Sequence, residues 1–196
     1  MPDRDMSEAA STISKTQAIC AVAELGQDAA ALITPEIQPL EYVSLLMERH
    51  LYPDAVRFLA HALPRREAVW WAWVCARREA GQNPPPKIKA SLEATEKWIA
   101  QPVEENRRAA MAAAQAADLG TAAGCAGLAA FFSGGSLSPP EAPPVPPGEY
   151  LAAKAVTGAV IFAAVAAEPE KAPEKFKAFV AQGVEVTNKI KLWEQK

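Results

Sequence analysis

The sequence predicts an all-α fold, a compact bundle of about eight helices joined to an extended proline-rich strap. Three observations lead there. Half of the 196 residues are apolar, and alanine dominates that half; alanine is the strongest helix former because it loses no side-chain entropy on ordering. Proline and glycine gather at segment borders rather than inside them. Apolar residues recur at a period near ~3.6 within one segment after another.

Taken in order, residues 1–12 are polar and charged, lack the apolar core of a signal peptide, and read as a flexible tail. A first helix is expected over 14–25, with Ile19, Val22 and Ala23 on one face and Gly26 as its stop, and a short one over 28–33. Three closely spaced helices follow near 39–51, 53–63 and 64–80. Their inner faces are Val43/Leu46/Met47, Val56/Leu59/Leu63 and Trp70/Trp73/Val74. Pro39, Pro53, Pro64, Pro102 and Pro169 each precede a helical run, where the missing proline N–H costs nothing. Gly81 and Asn83-Pro84-Pro85-Pro86 form a stiff turn before a helix over 87–100 that buries Ile88, Leu92 and Trp98.

The next helix opens after Pro102 with Glu104 and Glu105 in its first turn, where carboxylates suit the dipole, and Glu104 lies four residues ahead of Arg108. A small-residue helix over 121–132 closes the main helical domain, 13–134. The strap, 135–148, contains six prolines and is expected to run extended across the surface. Residues 149–196 form a C-terminal helical pair packing on the main domain, with Phe176, Phe179, Val180, Val184 and Thr187 facing in.

The net charge of −3 supplies no field for nucleic acid. Cys20, Cys75 and Cys125 are widely separated and odd in number, which fits buried thiols rather than a disulfide framework or a zinc site. No cofactor motif is present, and two histidines without clustered acids make a poor metal site. The apolar stretch over 155–167 is short of the ~20 residues that a membrane span needs. That over 109–138 is broken by Gln115, Asp118, Gly120 and Gly124. Gly120, Gly124 and Gly127 fit close contact between buried helices. A cytoplasmic protein without membrane insertion is expected.

The segment 51–78 carries three of the five tryptophans and two of the three Arg-Arg pairs. On a helix, Trp70, Trp71 and Trp73 span roughly 160°, wider than the ~100° of an ordinary apolar stripe. Such a helix is either central in the core or packed on one side with indole surface left for a partner. Tryptophan and arginine are the residues of interface hot spots. Asp54, Arg57 and His61 share one stripe of the preceding helix. They could be drawn as an acid–base site, but lack a nucleophile, a Gly-rich loop or a second carboxylate nearby. A solvated face, or ion pairing with Arg65 or Arg66, is the structural alternative. His50, at a helix end, suits the C-terminal dipole. The strap resembles an SH3-type ligand, yet has no flanking Arg or Lys, which favours an intramolecular role.

The run Tyr52-Pro-Asp-Ala-Val-Arg-Phe-Leu-Ala-His-Ala-Leu-Pro-Arg-Arg-Glu-Ala-Val-Trp-Trp71 resembles a bacterial family of unknown function. Glu104-Glu-Asn-Arg-Arg-Ala-Ala and Phe131-Phe-Ser-Gly-Gly-Ser-Leu with the strap behind it are similar to that family too. The likeness runs from about residue 35 to 190. Its members resemble accessory proteins encoded beside type VI secretion components, among them PAAR-type spike tips and effector-loading adaptors. The resemblance implies a non-enzymatic adaptor, chaperone or assembly factor that binds a secretion spike, adaptor or effector protein. Asp54, Arg57, His61, Arg65, Arg66, Trp70, Trp71 and Trp73 are the expected interaction residues. An enzyme built around Asp54, Arg57 and His61, and a homo-oligomer joined through helical faces, are the competing readings.

Overall fold

Helix starts are set by capping and by proline. At Ser14, the hydroxyl accepts from Gln17 N while the Gln17 side chain accepts from Ser14 N, a reciprocal cap that opens α1 (Lys15–Val22). A single turn, α2 (Gln27–Ala30), follows. Pro39 begins α3 (Pro39–Glu48), Pro53 sits in the first turn of α4 (Tyr52–Ala62), and Pro64 precedes α5 (Arg65–Ala80). The chain then forms α6 (Pro86–Ala100), α7 (Glu104–Ala117), α8 (Ala122–Phe132), α9 (Leu151–Val165) and α10 (Ala172–Lys189). Pro169 opens a 3-10 turn, Pro169–Lys171, that runs into α10. This computed structural model describes residues 13–194, so the expected tail at 1–12 lies outside the described residues. Among the described residues the fold is all-α and has no strand.

The core lies where α4, α5, α8 and α9 meet, with α7 and α6 stacked beyond α8, and α10 across α4, α5 and α9. The α8 helix is buried at 122–127 and 129–131, almost around its circumference, which small side chains permit. A Cβ on Gly127 would lie 2.9 Å from the Ala114 Cβ and 3.0 Å from the Ala110 carbonyl oxygen, so glycine sets the α7–α8 spacing. At the centre, Trp71 is 0% exposed and its Nε1 donates to the Phe179 carbonyl at 2.9 Å. Gly183 admits that indole, since a Cβ there would meet Trp71 Cε2 at 2.9 Å.

Three expectations need correction. The inner face of α5 is Ala68, Val69, Trp71, Ala72, Cys75 and Ala76. Trp70, Trp73 and Val74 are half-buried flanks. The apolar arc of α5 is wide enough to accept several phases, and dense small-residue packing selected the one containing Trp71. The second correction concerns cysteine: Cys75 and Cys125 are buried, but Cys20 is only partly so.

The third concerns the strap, expected to run extended across the surface. It leaves α8, turns at 139–142 and returns, closing on itself where Leu137 N donates to Val145 O at 2.8 Å. The Ser136 hydroxyl accepts from Ser138 N at 3.1 Å and from Val145 N at 3.0 Å. Residues 139–146 are all exposed. No single helix among the described residues is long and apolar enough to cross a membrane. The α9 helix reaches that length only with the one after it, across a 113° bend, and α9 is largely buried in the core.

Candidate protein-binding cleft

Most of the side chains singled out in segment 51–78 hold the fold together. Asp54 is buried at 7% exposure, not part of a solvated face. Its Oδ1 accepts from Gly26 N at 2.9 Å and pairs with Arg57 Nη1 at 2.9 Å, which ties the start of α2 to α4. Neither Arg65 nor Arg66 reaches it: Arg65 Nη1 donates to Ser133 O at 3.1 Å. Arg66 Nε donates to Ile99 O at 2.7 Å and its Nη2 to Ala100 O at 3.4 Å. Arg66 therefore supplies donors to the last carbonyls of α6, which have no partner within their own helix.

His61 Nδ1 meets Arg57 O at 2.8 Å. A carbonyl only accepts, so Nδ1 carries the proton and Nε2 a lone pair. That Nε2 is buried with no hydrogen-bond partner among the described residues. Burial holds the imidazole pKa below its ordinary value, with the Arg57 carbonyl opposing. Asp54 and His61 are thus both engaged with Arg57 or its backbone and form no hydrogen bond to one another, so no proton relay joins them. His50 Nδ1 contacts the Tyr52 hydroxyl at 2.7 Å.

What remains available lies at the far end of α5. Trp73 Nε1 donates to Leu92 O at 2.9 Å, locking α5 to α6. One turn on, the Arg77 guanidinium sits 5.3 Å from the Trp73 ring centroid, and the Arg78 guanidinium 5.9 Å from that of Phe179. A guanidinium over a ring face is attracted by the ring quadrupole and loses side-chain freedom. Among the described residues neither arginine forms an ion pair, and both are exposed. Gly81 ends α5 at φ +70, with nothing within 4 Å of a Cβ placed there. The chain turns through Asn83 and Pro84 into α6.

Between these two helix ends lies a cleft of about 910 Å³. Val74, Leu92 and Pro84 give it apolar surface; Arg77, Arg78 and Lys89 give it positive charge, with Glu93 and Glu96 also on its walls. Lys89 and Glu93 approach only to 3.8 Å and both are well exposed, so each stays available to a ligand. The cleft can receive a peptide-like segment with apolar and acidic groups. Arg77, Arg78 and Lys89 were not among the expected interaction residues. Their signal was an Arg-Arg pair one turn before a Gly and Pro-rich turn, which reads equally as cations at a helix C-terminus. Among the described residues no three His, Cys, Asp or Glu side chains cluster as metal ligands would.

Residues 42–187 match a family of unknown function, DUF6931. No curated protein and no solved structure is found similar to the chain.

Proposed function

The chain belongs to DUF6931, a family of unknown function, and from the geometry of the α5–α6 cleft we propose that it is a non-enzymatic interaction protein that takes a segment of a partner protein into that cleft. The observation that carries this reading is the pair Arg77 and Arg78, held over ring faces, exposed and, among the described residues, without carboxylate ion pairs, beside the apolar Val74 and Leu92. Fixed arginines beside apolar surface are what a binding hot spot requires, and ordering them beforehand lowers the entropic cost of association. The resemblance of the Tyr52–Trp71 run to accessory proteins encoded beside type VI secretion components extends the proposal to a spike, adaptor or effector protein as the partner, with an adaptor, chaperone or assembly factor as the role.

The test is the double variant R77A/R78A, assayed by co-purification with tagged secretion components of the same cell. The expected result is partner binding reduced by about tenfold or more, equivalent to about 1.4 kcal/mol, with the helical circular dichroism unchanged. Undiminished partner binding by a folded R77A/R78A protein would remove the cleft from the proposal.

A further inference from the structure

The proline loop has no role in that cleft, and its construction differs from that of a covering strap. Residues 139–147 include six prolines, and every residue from 139 to 146 is exposed, Val145 at 50%. A segment that shielded the core would bury its apolar rings. This one shields little and is nevertheless held in a single place.

The holding is done by buried charge. Arg107 is 3% exposed. Its Nε and Nη2 donate to the two Glu104 carboxylate oxygens at 2.6 and 2.8 Å, its Nη1 to Phe131 O at 2.6 Å, and its Nη2 also to Ser136 O at 2.8 Å. The guanidinium lies 4.4 Å from the Phe131 ring centroid. Arg108 adds a donor to Ser138 O at 2.9 Å and shares Glu104 at 2.6 Å. Gly135, at φ +64, carries the chain past this group; a Cβ there would lie 2.7 Å from Arg107 Nε. Taking a guanidinium out of water is costly unless it is fully hydrogen-bonded. Here that cost is met at the base of an exposed loop.

Beyond the base, chemistry restricts the chain further. Pro143, Pro144, Pro146 and Pro147 have φ fixed by their rings. Ala142, Pro143, Val145 and Pro146 each precede a proline, which excludes the helical region. Residues 143–148 accordingly carry no helix or turn. Val145 N, the one backbone donor within 143–147, is already taken by the Ser136 hydroxyl. What is exposed is a row of proline rings and the Val145 side chain, with Glu141 as the one charge within 133–148. The Val145 carbonyl accepts from Leu137 N, and each proline contributes a carbonyl acceptor without a backbone donor.

We propose that residues 142–147 are a pre-ordered polyproline docking ligand. They are read by a partner protein whose groove is walled by aromatic side chains, donates hydrogen bonds to the loop's carbonyls and carries a cation opposite Glu141. An extended proline segment suits such grooves because it has little entropy left to lose.

The experiment titrates the full chain with purified SH3, WW and EVH1 domains and profilin as reference readers of polyproline, using calorimetry. At least one reader is expected to bind the intact chain, and to bind the free peptide 137–147 more weakly, because the peptide must be ordered first. P143A/P144A/P146A/P147A is expected to lose about tenfold or more in affinity with an unchanged melting temperature, since all four side chains lie outside the core. R107K, which removes the bidentate grip, is expected to speed amide exchange at Leu137 and Val145 and to bring affinity down toward that of the peptide. R77A/R78A is expected to leave this binding intact, so failure here and failure of the cleft reading are separable. If no reader binds the intact chain, or if the quadruple variant binds as well as the parent, the loop is not such a ligand.

Discussion

Glu104 is the half-exposed member of a clasp whose other half, Arg107, is buried. Hydrogen bonding from Arg107, then from Arg108, with both charges adding to it, brings its carboxyl from an ordinary 4.5 down to about 2. A carboxylate whose folded pKa is depressed contributes stability above its unfolded pKa and loses it as pH falls toward the folded value. The clasp should therefore be intact above about pH 4.5 and weaken between there and about pH 2. The carboxyl carbon shift of Glu104, followed with the amide exchange of Leu137, checks this; the two should move together. E104Q should abolish the titration and leave the loop more open at neutral pH. A loop that stays protected in E104Q would show that the arginines hold it by their carbonyl contacts alone.

At the scale of elements, the spacing of α7 and α8 depends on one missing methyl. Gly127→Ala should destabilise the protein by about 1–3 kcal/mol through overpacking, because its new Cβ would meet the Ala110 backbone as well as the Ala114 side chain. Gly134→Ala is the control, with nothing within 4 Å of the added atom, and should be near neutral; urea unfolding of both distinguishes them. The helices themselves were legible in the sequence, because proline and capping act locally and alanine-rich runs have one good conformation. The inner faces Val56/Leu59/Leu63 and Phe176/Phe179/Val180 were legible too, since each stripe is narrow. The phase of α5 was not, because three indoles and their neighbours fill too wide an arc to choose one. Nor were the tasks of Arg65 and Arg66, which reach carbonyls 68 and 33 residues away in the chain. An arginine that caps a distant helix looks the same, in sequence, as one waiting for a partner. Arg77 and Arg78 stood in plain view as a pair, but only the folded arrangement supplies the ring faces and the cleft beside them.

Over the whole molecule, the decisive feature is that α9 passes through the centre, among α4, α5 and α8. A chain ended at residue 148 should lack a cooperative calorimetric transition and should self-associate with rising concentration, since the apolar faces that α9 covers would be bare. A sharp, reversible melt of such a fragment would instead show that the first eight helices fold alone. The bond from Trp71 Nε1 to Phe179 O spans 108 residues, and it closes only when α10 has arrived. Synthesis runs from the N-terminus, so Trp71 and the apolar faces of α4, α5 and α8 are made before the two helices that cover them. Until α9 and α10 dock, those faces stay open to water and to other chains. The nascent protein therefore depends on its late helices to become safe from its own kind.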